Sequence, residues 1–181
     1  MKRTIALLCS LSILLLTGCG AGDDPAKQIR DLAREENLEN VFAKDTTTCT
    51  LTVGEQSLGM IELPKTETDP KEITEADGVV EVTTGDQSFF VQLRNGSSMT
   101  VSDFADMYPE GTAFTWEDHA CYLLGPGNGY TGVRLGDLTV YYELDETTGA
   151  YVAFGYEGPF AELAEEQDLA DLLCDWIHPA T

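Results

Sequence analysis

Hydrophobic positions keep different spacings in different stretches of this chain, and each spacing predicts an element. Residues 5–16, "IALLCSLSILLL", are continuously apolar. Over 25–36, Ile29, Leu32 and Ala33 fall on one side of a helix, and Asp24-Pro25 reads as an N-cap followed by proline at the first helical position. From residue 46 the period drops to two: in "TTTCTLTV", Cys49, Leu51 and Val53 share one face of a strand and threonines the other. "GVVEVTT" and "SFFVQLR" are two more strands, joined by Gly85-Asp86, and Asn95-Gly96 turns the chain again. Two-residue hairpin turns need positive φ, which glycine supplies without steric cost. "LTVYYEL" (138–144) and "AYVAFGY" (150–156) make a further hairpin through "DETTG". At the end, Leu169, Leu172, Leu173, Trp176 and Ile177 follow the i, i+3, i+4, i+7, i+8 spacing of one buried helical stripe, which Pro179 stops.

These elements predict an α+β domain over residues 25–181. Its antiparallel β-sheet is built from hairpins, with an N-terminal helix and a C-terminal amphipathic helix. An internal echo adds a question of duplication. "GDQSFFVQL" begins at Gly85, "GDLTVYYEL" at Gly136, and a looser "GEQSLGMIEL" at Gly54. After the first two, "DFAD" (103–106) and "PFAE" (159–162) open helical stretches, so the chain reads either as two βββα units or as convergence on one hairpin recipe. "PKTETDPKEITEAD" (64–77) reads as a charged, exposed flap too short to divide domains.

Charge changes the picture next. The chain carries 10 Lys+Arg against 32 Asp+Glu, a net charge of −22. So acidic a surface argues against nucleic acid, whose phosphates need a basic footprint. It fits a self-repelling, soluble exterior or a partner of positive charge. The imbalance grows along the chain, because residues 72–181 hold only Arg94 and Arg134 against 21 acids. Lys27, Arg30 and Arg34 fall on one side of the first helix, either as a face for anionic headgroups or as an ordinary solvated face.

The first apolar stretch is a targeting signal. Lys2 and Arg3, the run over 5–16 and the small residues after it have the three-part order of a secretory signal peptide. This twelve-residue stretch falls short of the roughly 20 apolar residues that a membrane-spanning helix needs. The following Leu16-Thr17-Gly18-Cys19 resembles the lipobox of bacterial lipoprotein precursors, with Thr17 a less typical choice in it. The resemblance covers the first nineteen residues and no fold. It implies cleavage between Gly18 and Cys19, lipidation of Cys19, and a membrane anchor with the domain outside the cytoplasm. Removing residues 1–18 leaves 8 basic residues against 32 acidic ones, a net charge of −24. Residues 19–24 then form a short tether that keeps the domain near the membrane.

Export also sets the cysteine arithmetic. With Cys9 removed and Cys19 lipidated, Cys49, Cys121 and Cys174 remain. One bridge and one spare thiol follow; Cys121–Cys174 would clamp the final helix to the sheet, and pairings through Cys49 are the alternatives. A metal is a weaker alternative. In "WEDHAC" on a strand, Glu117, His119 and Cys121 alternate onto one face, while Cys174 and His178 stand at i, i+4 on a helix. His119, Cys121, Cys174 and His178 would make a two-Cys, two-His zinc set, though not at a familiar finger spacing. Gly127-Asn128-Gly129-Tyr130-Thr131-Gly132 matches the glycine pattern of dinucleotide binding, but strands follow it where that motif opens a helix. The "GPGNGYTG" loop therefore reads as a connection, or as a binding lip with Tyr130 at its tip. The sequence contains no "GxSxG", "HExxH", P-loop, "SxxK" or "DxDxDG" motif.

The resulting expectation is a lipid-anchored binding module that needs no cofactor, with a protein, wall or small-molecule ligand as partner beside the membrane itself. The alternatives are a cell-envelope hydrolase working through carboxylates and a structural envelope component.

Overall fold

The computed structural model describes Asp31 and residues 45–65, 70–95, 100–126 and 135–181. The expected signal segment, Cys19, the expected tether, the expected Asn95-Gly96 turn beyond Asn95 and residues 127–134 lie outside the described residues. So does the expected helix over 25–36, except for Asp31, and no N-terminal helix contributes to the described fold.

Among the described residues, ten strands form two sheets. β1 (Thr46–Val53), β2 (Gln56–Pro64), β3 (Glu72–Thr74) and β10 (Ile177–Pro179) make a four-stranded sheet in the order β10-β2-β1-β3. β4 (Val79–Thr84), β5 (Gln87–Arg94), β6 (Thr112–Trp116), β7 (His119–Leu124), β8 (Leu138–Asp145) and β9 (Ala150–Glu157) make a six-stranded sheet in the order β4-β5-β9-β8-β7-β6. Every pairing is antiparallel except β1 with β3. The only described helix of seven or more residues is Glu166–Asp175. The expected α+β class is thus corrected to a predominantly β fold of two sheets.

The period-two reading of β1 holds: Cys49 and Leu51 are buried, and the threonines around them are exposed or half-buried. The β4–β5 hairpin turns through Gly85-Asp86 as expected, and Gly54 opens the matching β1–β2 turn, with φ of +65° and +60° respectively. The main core lies between the two sheets. Ile61, Leu63 and Ile73 from one sheet join Phe89, Val91, Val140, Val152, Phe154 and Tyr156 from the other, and Leu169, Leu172 and Leu173 from the helix complete it.

A second cluster covers the opposite face of the six-stranded sheet. Tyr122, Leu124, Tyr141, Tyr151 and Ala153 point outward from β7, β8 and β9 and are roofed by Val101 and Phe104. Phe104 sits edge-on to Tyr141 at 4.6 Å and to Tyr151 at 5.5 Å between ring centres. Strands covered on both faces read as continuous apolar runs, which is why β5, β8 and β9 alternate so weakly in sequence.

The two-unit expectation fails on these faces. "DFAD" and "PFAE" look alike in sequence, yet Phe104 belongs to the outer cluster and Phe160 to the main core. Gly136 lacks the positive φ of Gly54 and Gly85. The "PKTETDPKEITEAD" segment is not simply a flap. Ile73 is fully buried, which draws Glu72–Thr74 into the sheet beside β1.

The chain end differs from expectation as well. The helix stops at Asp175, and Ile177–Pro179 pairs as β10 with β2, placing Ile177 opposite Ile61 and His178 opposite Met60. Trp176 and Ile177 are buried as the stripe requires, but an edge strand achieves this where a further helical turn was expected.

Candidate ligand-binding cavity

The hairpin ends of the six-stranded sheet, together with the start of the helix, border an open cavity of about 580 Å³. That volume lies within the range of small-molecule sites. Asp86 comes from the β4–β5 turn, Pro126 from the segment after β7, and Asp137 from the approach to β8. Glu157 ends β9, Glu162 ends the short 3-10 turn Pro159–Glu162, and Glu166 begins the helix. Leu138, Ala161 and Leu169 supply apolar wall between the carboxylates.

Local chemistry fixes this arrangement. Gly158 has φ +156°, and a Cβ there would stand 2.6 Å from the Tyr156 hydroxyl, so only glycine lets the chain fold back over that ring. The Gly158 N–H donates to Asp137 Oδ2 at 3.0 Å, which ties the exit of β9 to the approach to β8. Beneath them the Tyr156 hydroxyl donates to Gln87 Oε1 at 3.0 Å and accepts from the Phe160 N–H at 3.4 Å. Burial pushes the Tyr156 phenol above its usual range, and the charges of Asp86 and Asp137 add to that shift. Tyr156 stays neutral at physiological pH, and the charge of the cavity is carried by the carboxylates that line it.

None of the described lining residues is basic. Asp86, Glu157, Glu162 and Glu166 are exposed and Asp137 is half-buried. Five carboxylates around an apolar wall attract a cation and give its hydrocarbon part a surface to lie on. The carboxylate hydrolase expected as an alternative needs an acid held in a dry environment, and the rim offers only exposed or half-buried carboxyls.

The residues singled out from sequence lie elsewhere. Cys121 on β7 and Cys174 on the helix are both buried in the main core with their thiols close enough to interact, and the Cys121 thiol lies 3.6 Å from the His119 carbonyl. Cys49 is on the other sheet, and its thiol donates to the Pro70 carbonyl. All three are thiols in this structure. The neighbouring Cys121 thiol and burial push the Cys174 thiol far above its usual range.

The zinc set does not assemble. His119 stacks on Tyr142, with ring centres 5.1 Å apart, and its Nδ1 lies 2.8 Å from the Glu143 carbonyl. His178 lies on β10 in the other sheet, 3.7 Å from a Glu62 carboxylate oxygen. No group of three or more metal-binding side chains occurs among the described residues. Glu117 does not share a strand face with His119, because Glu117 and Asp118 form the β6–β7 turn at φ +44° and +70°. Sequence reasoning missed the cavity because its carboxylates are scattered from residue 86 to residue 166 and share no motif. The approach to β8 and the exit of β9 were each visible as hairpin ends, which is the signal that could have placed Asp137 and Glu157 together.

Among the described residues no helix is long and apolar enough to cross a membrane. No family model matches the chain, and no curated protein or solved structure matches it.

Proposed function

We propose that this chain is a membrane-anchored extracytoplasmic lipoprotein, held through Cys19, whose folded domain is a binding module for a cationic ligand. The cavity bounded by Asp86, Asp137, Glu157, Glu162 and Glu166 carries this reading, since it joins ligand-sized volume to a rim of one charge. A linear polyamine or the side chain of a cationic peptide has the complementary chemistry: spaced positive charges on an apolar chain. Such a ligand would be drawn in by the field of a strongly acidic molecule and released as salt screens it.

Two measurements test the two halves of the proposal. Intact mass of the chain extracted from membranes should show loss of residues 1–18 and an acylated Cys19; an unmodified Cys19, or cleavage elsewhere, refutes the anchor. Calorimetric titration with spermine should show saturable binding that weakens with added salt. Absence of binding by spermine and by an oligolysine peptide alike refutes the binding module.

A further inference from the structure

We propose that Cys121 and Cys174 form a disulfide that is made while the chain folds and thereafter fastens the C-terminal helix to β7. The two residues enter the main core from β7, the strand next to the β6 edge of the six-stranded sheet, and from the C-terminal helix. Cys121 is 2 % exposed and Cys174 is fully buried. Their thiols lie close enough to interact, and a disulfide would bring the two sulfurs to about 2.05 Å. Cys49 is excluded by its place: it lies on the other sheet, committed to the Pro70 carbonyl.

The burial that protects such a bond also dates its formation. A thiolate is the attacking species in thiol–disulfide exchange, and the fold holds the Cys174 thiol strongly protonated and out of reach of solvent. Exchange therefore takes place before the helix settles. One cysteine thiolate attacks the disulfide of a donor, either an exported dithiol oxidase or an oxidised low-molecular-weight disulfide. The mixed disulfide that results is displaced by the second cysteine. The donor leaves as two thiols, carrying the electron pair and the two protons that Cys121 and Cys174 give up. The supply of that donor rests on the extracytoplasmic reading; the choice of partners does not.

The bond also bears on the cavity. Of its lining residues, Pro126, Asp137, Leu138, Glu157 to Pro159, Ala161, Glu162, Glu166 and Leu169 all fall between positions 121 and 174, and only Asp86 falls outside. Closing the 121–174 loop thus restricts the whole segment that shapes the site.

The test uses the full chain with Cys9→Ser and Cys19→Ser, so that three cysteines remain. It is refolded in a mixture of reduced and oxidised glutathione, alkylated after denaturation without reductant, digested and mapped by mass. The expected result is one peptide linking Cys121 to Cys174, with Cys49 alkylated. A Cys49→Ala version should give the same linked peptide. Dominant linkage through Cys49, or alkylation of all three residues, overturns the proposal. Mapping the same peptides from the unsubstituted chain extracted from cells separates the two readings. Thiols there, alongside a disulfide in the refolded chain, would overturn the compartment and leave the pairing standing.

Discussion

Replacing each of three buried tyrosines by phenylalanine removes one oxygen from three similar places, and the structure predicts opposite outcomes. Tyr141, Tyr142 and Tyr156 lie on β8 and β9 and are each at most 1 % exposed. The Tyr156 hydroxyl donates to Gln87 Oε1, and Gln87 is itself only 2 % exposed. Tyr156→Phe deletes that donor and the acceptor for the Phe160 N–H, at a cost of ~2 kcal/mol for buried polar groups losing a partner. The hydroxyls of Tyr141 and Tyr142 are buried with no hydrogen-bond partner among the described residues. Removing an unsatisfied hydroxyl recovers its desolvation penalty, so Tyr142→Phe should stabilise by ~1 kcal/mol. The two variants should therefore differ by ~3 kcal/mol, or ~6–12 °C in Tm for a chain of this size. Urea unfolding followed by tryptophan fluorescence measures both. Burial raises all three phenol pKa values above 10.0, so the neutral forms stabilise the fold below about pH 10 and that stability is lost as pH climbs towards the raised values. Tyr142→Phe should accordingly flatten the fall of stability in alkali. A loss of more than ~1 kcal/mol in Tyr142→Phe would refute the reasoning, because it would mean the hydroxyl has a partner.

Three further outcomes follow from other parts of the molecule. Glu117 and Asp118 hold left-handed backbone in the β6–β7 turn, so Glu117→Asn with Asp118→Gly should raise stability by about 1 kcal/mol; unchanged urea midpoints would contradict that geometry. Phe104→Ala empties the outer cluster and should cost about 3 kcal/mol, whereas a surface helix would tolerate it almost freely. The Asp145 carboxylate accepts from the Thr148 hydroxyl at 3.0 Å and the Thr147 N–H at 2.9 Å, which hold its pKa below the ordinary 3.8. Its contribution is present above that ordinary value and lost as pH falls through the depressed one, so Asp145→Ala should be less stable at neutral pH and converge with the native chain in acid.

Much of the sheet structure was legible because local rules decided it. Gly85-Asp86 could only be a tight turn between two apolar runs, and Cys49 and Leu51 alternate with threonines that tolerate solvent. The hairpin through Glu117-Asp118 was illegible because neither residue advertises positive φ; the pairing of β6 with β7 imposes it. Trp176 and Ile177 fit a helical stripe so well that the break after Asp175 was invisible. What ends the helix is the open edge of β2, which Ile177 to Pro179 complete as a strand. Phe104 and Phe160 show the same limit from another side, since near-identical four-residue motifs are sent to opposite faces by strands far away in sequence. The cavity was the least legible feature, because carboxylates from 86 to 166 converge only after the hairpin ends meet the start of the helix.

The most direct test of the cavity as a cation site compares two double variants that remove the same charge. Asp86→Asn with Glu166→Gln neutralises two rim carboxylates, whereas Glu55→Gln with Glu75→Gln neutralises two exposed carboxylates near the other sheet. Spermine affinity is measured by calorimetry for both and for the native chain at one salt concentration. Each rim carboxylate should contribute ~0.5–1 kcal/mol, so the first variant should bind ~5–30-fold more weakly and the second within about twofold of native. Equal weakening in both would show that spermine responds only to net charge, and it would contradict the cavity as the binding site.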